Sequence, residues 1–187
     1  MTVPPGWKEA YDHNESVIYL LDADLRISRC NSAWDRFAVA NSGEDVIRAK
    51  VVGRSVMDVV PAVLQDFYRI AYENVRKARR EWWHVFECSS PSVLRHFHMR
   101  ILPSGDGGLV TISTLIDEAA ADVSESPSIH GVVDEDGIAT MCAHCRRVQR
   151  IHRPDIWIWA PELLIRGKVL TRPGLCDFCE AYHRHRR

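Results

Sequence analysis

Residues 62–116 read AVLQDFYRIAYENVRKARREWWHVFECSSPSVLRHFHMRILPSGDGGLVTISTLI. In the first third of this stretch Leu64, Phe67, Tyr68, Ala71, Tyr72 and Val75 recur at the three- and four-residue spacing of one helical face, which predicts a helix over Ala62–Arg79. Lys77, Arg79 and Arg80 stand at its C-terminal end, where cations suit the helix dipole. Three strand-like runs follow, Glu81–Cys88, Leu94–Leu102 and Leu109–Ile116. Ser89-Ser90-Pro91-Ser92 and Pro103-Ser104-Gly105-Asp106-Gly107-Gly108 separate them with the residues of hairpin loops.

Upstream, Val17–Asp22 is a short apolar strand, Asp22-Ala23-Asp24 a turn, and Leu25–Cys30 the returning strand. Asn31 or Ser32 caps a helix over Ala33–Ala40 that puts Trp34, Phe37 and Ala38 on one face, and Asn41-Ser42-Gly43 ends it. Val51-Val52-Gly53-Arg54-Ser55 leads into a short helical piece closed by Pro61. Two strands, a helical middle and three strands fit an α+β fold: a five-stranded antiparallel sheet with helices on one face.

This order, together with the Asp22–Ile27 hairpin, Asn31-Ser32-Ala33-Trp34 opening a helix, Val52-Gly53-Arg54-Ser55, Glu87-Cys88-Ser89-Ser90-Pro91 and Arg95-His96-Phe97-His98-Met99, resembles the PAS family over residues 10–117. The resemblance implies a domain that senses a small ligand or dimerises. Haem in the family's usual mode needs a histidine on or just before the long helix, and residues 51–79 contain none. The Asn-Cys-Arg-Phe type motif of flavin-adduct light sensors is also missing. The remaining ligand candidates are His96, His98 and Arg100, which share one face of a strand, and Tyr68 and Tyr72 on the long helix. The bland alternative makes the first three solvent-facing and the two tyrosines core. Trp82 and Trp83 point to opposite sides of their strand, so one is an expected core residue and the other a surface or dimer contact.

The most specific chemical signal lies further on. Cys142-Ala-His-Cys145 and Cys176-Asp-Phe-Cys179 are two C-x2-C pairs 30 residues apart. Each gap lets both sulfurs of a pair reach one ion, and two pairs supply the tetrahedral four-sulfur set that zinc favours. Iron, alone or in an iron–sulfur cluster, and a metal-free dithiol switch are the alternatives. A segment of 48 residues, 140–187, also needs a staple, because so short a chain rarely builds a sufficient core. Its expected apolar core is Ile156, Trp157, Ile158, Trp159, Leu163, Leu164 and Ile165, while His144 and His152 read as surface histidines. The spacing, with basic residues after the first pair, then Trp157, then Gly174-Leu175-Cys176, resembles a cysteine-rich tail found beside PAS domains in bacterial signalling proteins. In such tails a Ser-His-Gly often precedes the second pair; Arg172-Pro173-Gly174 stands here instead. The terminal His183–Arg187, HRHRR, reads as a frayed tail.

Charge divides the chain in the same places. Residues 1–116 carry 14 basic and 14 acidic side chains, 117–139 carry 7 acidic and no Lys or Arg, and 140–187 carry 10 basic and 4 acidic. The expected organisation is a PAS-like domain over 10–117, an acidic connector over 118–139 and a zinc-binding module over 140–187. The formal net charge of −1 gives no global field for nucleic acid or membrane. Arg146, Arg147, Arg150 and Arg153 nevertheless offer a local basic patch, so a zinc-dependent nucleic-acid-binding regulator is a second reading. No apolar run spans a membrane and MTVPPGWKEAYDHNES lacks the pattern of a secretory signal, so the expected compartment is the cytoplasm. Phosphate loops, nucleophile elbows and metalloprotease or deaminase signatures are lacking, so the expected role is non-catalytic, signalling through a protein partner or a homodimer.

Overall fold

Asp22 shapes the first hairpin, its carboxylate accepting from the backbone N–H of Asp24 and Arg26 at 2.9 and 2.8 Å. This side-chain turn holds Leu25 at a left-handed φ of 59°. In the computed structural model of the chain, which describes residues 7–90, 93–120, 131–160 and 169–185, the turn joins β1 (Val17–Leu21) to β2 (Ile27–Cys30). A short helix, α1 (Trp7–His13), precedes them. After them come α2 (Ser32–Ala40), α3 (Arg48–Val51), α4 (Ala62–Ala78), β3 (Trp82–Glu87), β4 (Val93–Pro103) and β5 (Leu109–Ala120). The five strands form one sheet in the order β2-β1-β5-β4-β3. The expected α+β, PAS-like arrangement with a five-stranded antiparallel sheet is therefore the observed one.

Periodicity explains what is buried. All six apolar positions read from the α4 pattern, Leu64, Phe67, Tyr68, Ala71, Tyr72 and Val75, are buried. On β4 the buried residues alternate as Phe97, Met99 and Ile101, and on β5 as Leu109, Thr111 and Ser113. Gly108 is required where β5 begins: a Cβ there would stand 2.3 Å from the Leu21 carbonyl oxygen. Two of the boundary differences have a visible cause. α4 stops at Ala78 because Arg79 adopts a left-handed φ of 53° and closes the helix. β5 continues past Ile116 to Ala120, its extension tied to β4 by His96–Asp117 at 2.7 Å and Arg95–Glu118 at 2.6 Å.

A second sheet holds β6 (Ile138–Cys142), β7 (Val148–Arg150), β8 (Arg153–Ile158) and β9 (Leu170–Gly174) in the order β8-β7-β6-β9, followed by α5 (Asp177–His185). A turn forms at 134–137, where the Asp134 carboxylate accepts from Ile138 N–H at 2.8 Å and pairs with Arg172 at 2.7 Å. The core of this part differs from the expected one. Among the described residues it is Val132, Ala139, Val148 and Ala160, with Val133, Met141, Ile158 and Val169 packed around it. Alternation along β8 sends Ile158 to that core and Trp157 to the cysteines, while Ile156 and Trp159 are half-buried. Leu163, Leu164 and Ile165 lie outside the described residues. His183 is no part of a frayed tail, since it sits on α5 with 2% exposure.

By backbone proximity the chain divides into two compact units. One takes in the residues up to Val60 with Arg69–Val85 and His98–Leu115, and the other takes in Pro61–Tyr68, Phe86–Phe97 and the residues from Ile116 onward.

Candidate metal centre

β6 ends on Cys142 and β9 ends on Gly174, and the two strands run parallel with Cys142 paired to Gly174. That register carries both C-x2-C segments out of the sheet side by side. In the first, Cys142 N–H donates to the Arg147 carbonyl at 2.8 Å and Arg146 N–H to the Cys142 carbonyl at 3.0 Å, with Arg146 at a φ of 61°. Ala143 N–H donates to the Gly174 carbonyl at 2.9 Å and ties the first segment to the second. Cys176 precedes α5 and Cys179 lies in its first turn, where Glu180 N–H donates to the Cys176 carbonyl at 2.8 Å. Gly174 is tight, since a Cβ there would stand 2.9 Å from Thr140 Cγ2 and 3.4 Å from the Trp157 ring.

The four sulfurs of Cys142, Cys145, Cys176 and Cys179 lie within 4.8 Å of one another and all four residues are buried, with Trp157 and Leu175 packed against them. A metal with sulfurs at about 2.3 Å in a tetrahedron needs sulfur–sulfur separations of about 3.8 Å. Cys145 Sγ and Cys176 Sγ are 3.8 Å apart, so the donor set fits one thiophilic ion. The electrostatics show what such an ion would relieve. Hydrogen bonds from Cys145 and Cys179 hold the Cys142 thiol far below its ordinary range, whereas burial pushes Cys176 up to about 11. Cys179, hydrogen-bonded to Cys142 and Cys145, is also pushed up. A bound metal would take the sulfurs as thiolates and displace the protons they carry. The Arg147 guanidinium hydrogen-bonds Cys145 and is itself held further up by that bond. Neither histidine near the pairs joins the sulfurs. His152 is exposed, and His144 Nδ1 meets His183 Nε2 at 2.9 Å instead.

The residues expected to bind a ligand occupy different settings. His96, His98 and Arg100 alternate with the buried Phe97, Met99 and Ile101 along β4. His96 pairs with Asp117, His98 stands edge-on to Trp83 at 5.3 Å, and Arg100 makes two bonds to Glu81 at 2.6 and 2.9 Å. Trp83 is half exposed while Trp82 is half-buried, in line with their opposite directions. Tyr68 and Tyr72 are buried. The Tyr72 hydroxyl lies 3.4 Å from that of Tyr19, whose phenol is pushed up by burial against the opposing hydrogen bonds of Tyr72 and Thr111. Tyr19 and Thr111 carry no motif, and only their inward phase on strands would have flagged them. Of the basic candidates, Arg147 and Arg150 are exposed, Arg146 is half-buried and Arg153 pairs with Asp155 at 3.1 Å.

No protein-family model matches the chain, and no curated protein matches it. The solved structures it is similar to include PAS domains. That of BvgS from Bordetella pertussis has a TM-score of 0.46 at 20% identity, covering 59% of this chain and 83% of that one. The PAS domain of the quorum-sensing receptor RpfR from Cronobacter turicensis, in complex with C12:0, has a TM-score of 0.42 at 19% identity, covering 56% of this chain and 97% of that one. A domain of a sensory box sensor histidine kinase/response regulator from Geobacter sulfurreducens has a TM-score of 0.44 at 12% identity, covering 58% and 90%. Among the described residues no helix is long and apolar enough to cross a membrane.

Proposed function

We propose that this chain is a non-catalytic cytoplasmic signalling protein, with a PAS-like domain over residues 10–117 that senses a ligand or dimerises and a structural zinc module over 140–187 that docks a protein partner. The observation that carries the reading is the set of four buried sulfurs within 4.8 Å. Four thiolates fill a tetrahedral zinc and leave no position for water or substrate, so the metal serves folding rather than hydrolysis. Cys142, Cys145, Cys176 and Cys179 would hold it, and the Arg147 guanidinium would offset part of the negative charge of a tetrathiolate. The sensing half rests on the five-stranded sheet and its buried Tyr19, Tyr72 and Thr111 hydroxyls. The nucleic-acid alternative draws less support, because Arg153 is paired with Asp155 and Arg147 is engaged by Cys145.

The test is metal analysis with a visible spectrum on protein purified without added metal. One colourless zinc per chain, lost in Cys142→Ser and Cys176→Ser, is the expected result. Thiolate-to-iron absorption bands would replace zinc with iron, and a metal-free protein that keeps its fold would overturn the module.

A further inference from the structure

Helix α5 carries two attachments on one face. Cys179 belongs to the sulfur cluster, and His183, four residues on, is buried at 2% exposure. His183 Nε2 lies 2.9 Å from His144 Nδ1, on the C-x2-C segment between Cys142 and Cys145. The His183 ring also packs against Phe67, with centroids 4.4 Å apart and planes at 72°, an edge-to-face contact. Phe67 is 2% exposed and sits in the first turns of α4, within the same compact unit as both cysteine pairs. Elsewhere on α5 Phe178 is 80% exposed and Asp177, Ala181 and Arg184 face solvent, while the half-buried Tyr182 stands edge-on to His144 with ring centroids 5.4 Å apart. The helix is held by the sulfurs at its start and by the contacts of Tyr182 and His183 near its end, and His183 is the one that meets Phe67 on α4.

We propose that Phe67 and His183 are positioning residues of the metal centre: Phe67 fixes α5 through His183 so that Cys179 stays within the four-sulfur set, and metal binding in turn orders the first turns of α4. Neither side chain touches the metal. Coupling of this kind is reciprocal: the free energy by which the Phe67–His183 contact favours metal binding is the free energy by which metal binding favours that contact. The α4 helix continues unbroken to Ala78, so the segment ordered by the metal is part of the longest helix described. The inference rests on the metal reading above.

The experiment uses the full zinc-loaded chain and follows zinc transfer to a chromophoric chelator. Phe67→Ala is expected to raise the release rate about 10- to 100-fold, the range seen when residues supporting metal ligands are removed, and Phe67→Leu to recover part of it. Val75→Ala, an equally buried truncation further along α4, is the control and should leave release unchanged. Hydrogen exchange on the wild-type chain supplies a second readout that needs no variant to fold. Zinc removal should raise exchange in residues 61–68 and leave the β1–β2 hairpin unaltered. Equal release from Phe67→Ala and the wild type, equal acceleration by Phe67→Ala and Val75→Ala, or exchange at 61–68 indifferent to zinc would each overturn the coupling while leaving the metal site standing. A wild-type chain that holds no metal would overturn both.

Discussion

Asn31 is fully buried and its side chain makes five hydrogen bonds. Its Oδ1 accepts from Ile18 N–H at 3.0 Å and from Trp34 N–H at 3.2 Å, the second being the cap of α2. Its Nδ2 donates to the carbonyls of Tyr11, Asn14 and Ser16 at 3.2, 3.4 and 2.9 Å. Its backbone N–H donates to Ile18 O at 3.0 Å, so one residue extends the β1–β2 ladder and starts the next helix. Asn31→Ala removes a helix cap, about 1 kcal/mol, and leaves the Ile18 N–H buried without a partner, about 1–3 kcal/mol more. The expected loss is about 3 kcal/mol, read as a fall of about 1–3 M in the urea midpoint at fixed zinc, given the usual slope. Asn31→Asp keeps the acceptor but turns an anionic oxygen toward three carbonyls. Its folded pKa is then raised above the unfolded value of about 3.9. A raised carboxyl binds its proton more tightly in the folded state, so the variant loses stability as pH rises through the folded pKa and recovers it as pH falls. Asn31→Asp should thus be at least as unstable as Asn31→Ala at pH 7 and gain on it toward pH 5. A loss under about 0.5 kcal/mol for Asn31→Ala, the scale of an ordinary surface change, would refute the assignment of these bonds as a structural centre.

Gly108→Ala puts a Cβ 2.3 Å from the Leu21 carbonyl oxygen, a backbone atom that cannot rotate away; a cost of about 1–3 kcal/mol is expected, measured by thermal unfolding, and an unchanged midpoint would show that β5 can start elsewhere. Cys176→Ser and Cys142→Ser should each abolish stoichiometric metal and loosen residues 138–185 in hydrogen exchange, while the β1–β2 hairpin keeps its protection; retention of a full metal equivalent would mean that the sulfurs are not its ligands. Trp83→Ser, at a half-exposed position, should leave the unfolding midpoint within about 0.5 kcal/mol of wild type yet weaken self-association in sedimentation if this side of β3 is the dimer contact; an unaltered association constant removes Trp83 from it.

What was legible in the sequence was what is local. The α4 stripe repeats every three or four residues, so its buried face could be read without knowing what covers it. The C-x2-C pairs likewise carry their chemistry within four residues. Asn31 was legible as a cap, because its acceptor is three residues from Trp34 N–H, but its other partners lie 13 to 20 residues away and leave no pattern. The parallel pairing of β6 with β9 was not legible either, since Leu170-Thr171-Arg172-Pro173-Gly174 has neither an apolar run nor an alternation. Composition misled at the C-terminus. HRHRR looks solvated, yet His183 is 39 residues from the His144 it meets, and only the fold brings them together.

Burial supports the metal reading proposed above over an exposed redox thiol. A redox-sensing thiol works as an exposed thiolate with a lowered pKa. Here all four cysteines are at most 6% exposed, and Cys145 Sγ and Cys176 Sγ stand 3.8 Å apart, a spacing suited to a shared ion. Among the described residues the surrounding core also fits a staple. Val132, Ala139, Val148 and Ala160 are small, and each contributes less burial free energy than a Leu or Phe would. The metal's binding free energy, about 10 kcal/mol or more in small zinc peptides, would on the proposed reading be large enough to decide whether the second sheet forms. On the proposed reading the ion acts through shape alone. It fixes β6, β9 and α5 about one point, and any signal from this end of the chain is a change in which surfaces that arrangement presents.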